Sequence, residues 1–280
     1  MANHHEKPPQ VDPDDSVALI RDEALHAVWV EMNYGPRGCF TPEMLIELGR
    51  AITLLRGRVT EEHASQNTNP LRFQVLRSTM PGVFGRGGDL DHFGHCIRSG
   101  DRHALRKYGR ACIELVHAVN THYQAPFTTI ALVEGEALGG GFECALAHSV
   151  IVAEEQATFG FPEIRFGLFP GMGAVSFLSR KVEPGFAHHL ISSGRIYTAQ
   201  YLYDHGIVDI LVPEGEGEGA VENYMRQESP GRRGIRQAFD IAHPVPMQEL
   251  DQIVNVWVDC AMQISGRNLR LMKKLVGAQK

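Results

Sequence analysis

Apolar positions along this chain recur with two periods, one of strands and one of helices. Ala27-Val28-Trp29-Val30-Glu31-Met32 is an apolar, partly β-branched run that reads as a first strand. Thr41 then offers an N-cap with Pro42 at the first helical position, and Met44, Leu45, Leu48, Ile52 and Leu55 keep helical spacing up to Gly57, where the helix is expected to end. A polar connection over 60–70 leads to Leu71-Arg72-Phe73-Gln74-Val75, whose strict alternation predicts a second strand. Leu105, Tyr108, Cys112, Leu115, Val116 and Val119 share one face of a long amphipathic helix over 102–120, with its basic residues on the solvated face. Thr128–Val133 and Val150–Ala153 read as further strands. An acidic glycine linker, Pro213–Gly219, precedes helices, the longest over 246–264 and a last one over 269–276. Strands alternating with helices, followed by helices alone, predict an α/β layered fold with a helical C-terminal part. Residues 1–16, polar and with prolines at 8, 9 and 13, read as a mobile tail.

Composition narrows the classes of partner. A formal net charge of −6 provides no basic field, which argues against nucleic-acid binding. The five cysteines are widely spaced with no CxxC pair, so a reduced, cytoplasmic setting is expected, without a disulfide framework or a metal site. No apolar run approaches the ~18 residues of a membrane span, and the N-terminus lacks the apolar core of a signal peptide, so no membrane insertion is expected.

Three glycine-rich segments carry candidate chemistry. After the Thr128–Val133 strand, Gly139-Gly140-Gly141 opens a helix beginning near Phe142. Backbone N–H groups at such a start lack intrahelical partners and suit an oxygen that becomes negative during a reaction. Glu143 lies three residues beyond Gly140, so a carboxylate can stand beside the same pocket; alone, it reads equally as a solvated helix residue. The second segment, Arg77–Leu90, has four glycines whose backbone can turn amides toward a ligand, and Asp89 reads as the N-cap of the next helix. In the third, Phe159-Gly160-Phe161-Pro162-Glu163-Ile164, Glu163 sits among apolar neighbours. Desolvation would raise its pKa into the range of proton transfer, unless Arg165 or Arg180 pairs with it.

The words PGVFGRGGDL, VEGEALGGGFECALA and FGFPEIRFGLFPGMGA, in this order, resemble the crotonase (enoyl-CoA hydratase/isomerase) superfamily. Within it, GDRHALRKYGRAC, IALVEGEALGGGFE and the C-terminal Val256-Trp257-Val258-Asp259 look most like the diffusible signal factor synthases of Gram-negative bacteria. The resemblance implies a crotonase-like ββα spiral core over 17–212. It also implies a helical part over 213–280 that covers an acyl pocket and mediates contacts in a homotrimer. Gly88 and Gly140 would supply the two amides of an oxyanion hole, and Glu143 and Glu163 the two catalytic carboxylates. Phe84, Leu138, Phe161, Met172 and Trp257 are the candidates for lining the acyl pocket. The implied reaction is dehydration of a 3-hydroxyacyl thioester to a cis-2-enoyl thioester and hydrolysis to a free fatty acid signal. No cofactor is implied beyond the phosphopantetheine of acyl carrier protein or coenzyme A that bears the substrate. A signal-sensor protein is an implied further partner. An enoyl-CoA hydratase of fatty-acid breakdown and a regulatory binding protein are the alternatives.

Overall fold

Two strands rich in apolar residues, β1 (Val17–Asp22) and β2 (Ala27–Met32), pair antiparallel, with Ile20 opposite Trp29. In this computed structural model residues 16–65 and 70–278 are described, so all of the tail expected over 1–16 except Ser16 lies outside them. The chain continues through α1 (Pro42–Ala64), β3 (Phe73–Ser78), β4 (Val83–Gly85), α2 (Leu90–Ser99) and α3 (Arg102–Asn120). Next come β5 (Thr128–Val133), β6 (Glu136–Leu138), α4 (Gly140–Leu146), β7 (Val150–Glu154), β8 (Thr158–Gly160) and a 3-10 turn, Pro162–Phe166. Then follow α5 (Ala174–Lys181), α6 (Pro184–Ser192), β9 (Ile196–Thr198), α7 (Ala199–Asp204) and β10 (Ile210–Val212). Four helices close the chain: α8 (Gly217–Gln227), α9 (Pro230–Ala242), α10 (Met247–Met262) and α11 (Gly266–Ala278).

The strands form two sheets, one in the order β1-β2-β3-β5-β7-β10 and one in the order β4-β6-β8-β9. Three times the chain lays a strand in the large sheet and the next in the small one: β3-β4 and β5-β6 return through α2-α3 and α4, and after β7-β8 the chain passes the 3-10 turn, α5, α6, β9 of the small sheet and α7 before β10. This is a ββα spiral. Parallel neighbours such as β3, β5 and β7 require such crossovers. The period-two alternation of β5 and β7 lets both faces of the large sheet be buried. Ala131, Val133, Ile151 and Ala153 join the core that also holds α1, α3 and α4, while Ile130, Leu132, Val150 and Val152 pack with Val221 and Met225 of α8. In the small sheet β4 and β6 run parallel side by side, so the loops that leave their ends lie next to each other.

Several boundaries differ from expectation, each for a visible reason. Ala27–Met32 is the second strand, since the less regular Val17–Asp22 precedes it and pairs with it. α1 passes through Gly57 because Val59 prolongs its buried face. Its last turn is tied down by Glu62, which pairs with Arg21 at 2.6 Å and accepts the Leu71 amide at 2.8 Å. That bond occupies Leu71, so β3 begins at Phe73 and runs on to Ser78 in register with β2. The strand β6 lies within the stretch that reads as a turn, too short to show periodicity. The long helix spans 102–120 as expected, with Asp101 accepting the Ala104 amide at 2.9 Å.

Candidate active site

The loop after β4 carries Gly87 and Gly88, and the loop after β6 carries Gly139 and Gly140; the pairing of β4 with β6 brings them together. A Cβ on Gly87 would stand 3.2 Å from the Gly140 nitrogen, and one on Gly140 would stand 3.6 Å from the Gly88 nitrogen. Among the described residues neither the Gly88 nor the Gly140 amide donates a hydrogen bond. Gly139 makes the sharp entry into α4 at φ 52°, ψ −122°, a conformation essentially restricted to glycine. Two unpaired donors at the ends of adjacent strands are thereby set beside one cleft, the geometry an oxyanion needs.

Glu143 lies in the first turn of α4, 1% exposed. Its Oε1 accepts the amides of Met172 at 2.7 Å and Ala174 at 3.1 Å. Burial pushes its pKa up to about 7, against the pull of those two amides. Glu163, in the 3-10 turn, is partly exposed toward the cleft, and its buried Oε2 has no hydrogen-bond partner. Burial, and then the charge of Glu143, raise its pKa to about 8. Arg180 is engaged with Glu249 at 2.8 Å rather than with Glu163. Gly139 is needed here for room as well, because a Cβ on it would fall 2.2 Å from Glu163 Oε1. Both carboxylates border one cleft together with Gly88, Gly140, Leu138, Met172 and Trp257. Cys144, next to Glu143, is a poor nucleophile because burial drives its thiol up to about 12.

The expected acyl lining needs correction at two positions. Phe84 and Phe161 are 1% and 0% exposed and belong to the core; Phe161 stacks on Phe142 at 4.8 Å, so α4 and not a ligand covers its ring. Trp257 reaches the cleft from α10. Its ring lies edge-on to Phe93 at 5.1 Å and so close to Gly171 that a Cβ there would sit 2.5 Å from it. Sequence reasoning missed the Met172 and Ala174 amides that anchor Glu143; the run Pro170-Gly171-Met172-Gly173, turned like the other glycine-rich loops, was the available signal. It also missed a second, deeper apolar cavity that starts at Gly88, Gly140, Glu143 and Met172 and passes under α1 and α3. Glu136, a neighbour of the glycine turn, pairs with Arg86 at 2.9 Å at the mouth and does not contribute to the raised pKa of Glu143. Among the described residues no group of three or more His, Cys, Asp or Glu is placed to hold a metal ion, and no helix is long and apolar enough to cross a membrane.

A ββα spiral with unpaired glycine amides and two acidic side chains on one cleft defines the crotonase class. The chain belongs to the enoyl-CoA hydratase/isomerase family, whose model matches residues 60–238. The Arabidopsis thaliana protein named "Probable enoyl-CoA hydratase 2, mitochondrial" is 34% identical over 233 residues, which are 82% of this chain and 72% of that protein. The solved structure of Pseudomonas aeruginosa DspI matches 97% of this chain and 100% of its own with a TM-score of 0.67 and 25% identity. An enoyl-CoA hydratase from Bacillus halodurans shares the fold, with a TM-score of 0.73 at 21% identity over 94% of this chain and 100% of that one.

The buried carboxylates also make stability depend on pH with a defined sign. Glu143 holds its proton up to about pH 7 in the fold, against 4.5 for an ordinary Glu carboxyl, so the folded state binds more protons between these values and stability falls as pH rises through them. Glu143→Gln is therefore expected to melt above the wild type at pH ~8–9, by up to roughly 3 kcal/mol, and with a flatter pH dependence. Thermal melts from pH ~5 to ~9 check this; parallel curves for the two proteins would refute the burial argument.

Proposed function

We propose that this protein dehydrates a 3-hydroxyacyl thioester, presented by acyl carrier protein, to a cis-2-enoyl thioester and hydrolyses that product to a free cis-2-unsaturated fatty acid, a quorum-sensing signal. The observation that carries this reading is the carboxylate pair. Burial raises both pKa values, and the charge of Glu143 raises that of Glu163 further, so near neutrality the pair holds about one proton beside the place where a thioester oxygen would meet the Gly88 and Gly140 amides. In the first step the ionised carboxylate takes the α-proton while the protonated one gives its proton to the β-hydroxyl, which leaves as water. The protonation states of the two are then exchanged. In the second step the newly ionised carboxylate takes a proton from water as it attacks the carbonyl carbon. The other returns a proton to the departing thiol, and the pair is back at its starting state. Each oxyanion donor is worth about 10²–10³ in rate in other enzymes.

Charge at the mouth suits the acidic surface of a carrier protein, as it also suits the phosphates of coenzyme A. Lys181 and Arg233 are held by Asp209 and Glu228, as Arg180 is by Glu249, whereas Arg165 borders the cleft and shares a groove with Arg267, Arg270 and Lys274 of α11. Such a patch suits an acidic partner. Ile235, Phe239 and Ile241 of α9 are 62, 63 and 81% exposed, an apolar face of the kind that contacts in an oligomer such as the homotrimer would cover, and all five cysteines are free thiols, which supports a cytoplasmic setting.

The second reading, an enoyl-CoA hydratase of fatty-acid breakdown, is supported by the relative at 34% identity. Mass spectrometry of products from purified protein and 3-hydroxyacyl carrier protein separates the readings. Free cis-2-enoic acid is expected. Hydration of added trans-2-enoyl-CoA without release of acid would establish the second reading, and no turnover would leave a binding protein for a partner such as a signal sensor.

A further inference from the structure

The deeper cavity has a direction. It begins at Gly88, Gly140 and Glu143, and its walls run inward from there. On α3 the wall starts at Tyr108, whose hydroxyl lies 3.3 Å from a Cβ on Gly88, and continues to Val119, a rise of about 16 Å. On α1 it passes from Leu45 to Leu55, and from α4 onward it passes from Gly140 to His148. The wall is apolar until its far end, where Gln74, Tyr123 and His148 meet, 2%, 1% and 4% exposed. The Tyr123 hydroxyl donates to Gln74 Oε1, and Gln74 Nε2 faces His148 Nε2 at 3.5 Å. His148 Nδ1 lies 2.8 Å from the Cys144 carbonyl, which fixes it as the donor. Tyr123 is aimed inward by three successive non-glycine residues in left-handed backbone, His122, Tyr123 and Gln124, at φ 50°, 54° and 62°. Such a run is strained and persists only where the surroundings fix it. Burial keeps the His148 imidazole neutral, its pKa pushed down to about 4, so this end carries no charge to attract an ionised group.

We infer that Gln74, Tyr123 and His148 close the acyl tunnel and set the longest acyl chain the site accepts. The inference rests on the acyl-thioester reading above. Each methylene that fits along the apolar wall adds about fourfold in affinity. A chain end that reaches the polar layer must part Gln74 from its partners and leave buried donors and acceptors unpaired, which costs about tenfold or more. Affinity should therefore climb with length and then break sharply.

Titration of the purified full chain with straight-chain fatty acids from hexanoic to octadecanoic acid, followed by calorimetry, reads that break without requiring turnover. The wild type should gain about fourfold per methylene up to one length and lose at least tenfold beyond it. Gln74→Ala, which shortens the layer, should move the break to longer acids, and Ala147→Leu, which fills the space beside His148, should move it to shorter ones. Both should leave the shortest acids within about twofold of wild type. For the wild type alone, the terminal methyl of the longest acid still bound should show nuclear Overhauser contacts to the Tyr123 ring. A break that stays in place in both variants, a uniform loss at every length, or methyl contacts to Trp257 at the mouth would overturn the inference. A break that moves as stated in a protein that dehydrates nothing would leave the tunnel end standing and remove the proposed reaction.

Discussion

Glu163→Gln is expected to lower kcat for formation of the unsaturated product by about 10²–10⁴-fold, with the fold intact. The side chain keeps its shape, and it ties no other element down, since Glu163 Oε2 has no partner in the resting protein. What the amide loses is the ability to hold and release a proton near neutral pH, which burial and the neighbouring Glu143 confer on the carboxyl. Glu143→Gln should be similarly inactive, because the proposed cycle passes one proton between the two groups in both steps. Melting temperature and circular dichroism separate loss of chemistry from loss of structure. Full activity in either folded variant would remove that residue from the mechanism.

Gly141→Ala is expected to be the most damaging substitution of a single hydrogen by a methyl near the site. A Cβ there would lie 2.1 Å from the Gly85 carbonyl oxygen, and backbone cannot swing aside as a side-chain tip can. The start of α4 would have to move off β4, carrying the Gly140 amide away from Gly88. A loss of roughly 4 kcal/mol or more, or failure to fold, is expected by thermal melting, with activity lost in any protein that survives. Gly57→Ala is the control. Gly57 lies inside α1 with nothing within 4 Å of an added Cβ, so alanine should stabilise by roughly 0.5–1 kcal/mol. A Gly141→Ala protein as stable and active as the wild type would contradict the close packing on which the oxyanion geometry depends.

The readable part of the chain was the part with a repeating physical signal. Apolar spacing marked α3 to the residue, and the co-ordered glycine turns with Glu143 and Glu163 carried the family, which the family match to residues 60–238 agrees with. Burial side was harder. Phe84, Leu138, Phe161 and Met172 all sit in short glycine-rich segments, yet Phe84 and Phe161 point into the core while Leu138 and Met172 line the cleft, because in such segments no periodicity fixes which way a side chain faces. Contacts between distant segments were legible only where the family motifs implied them, as for Gly88 with Gly140. The Glu143 carboxylate meets amides 29 and 31 residues on, and the layer of Gln74, Tyr123 and His148 joins a strand, a strained turn and the end of a helix. Gly57 shows the opposite error, a local breaker overridden by the buried Val59 beyond it.

In the proposed mechanism two carboxylates act on a thioester whose oxygen is held by the Gly88 and Gly140 amides. A saturated acyl thioester carrying two deuterons at C2 tests it directly, since it has no hydroxyl to lose and reports only proton abstraction. Incubated in water with the wild type and analysed by mass spectrometry, it should lose one deuterium, and it should lose none with Glu143→Gln or with Glu163→Gln, whichever carboxylate is the base for this step. Retention of both deuterons by the wild type, or washout at the wild-type rate in both variants, would contradict the account.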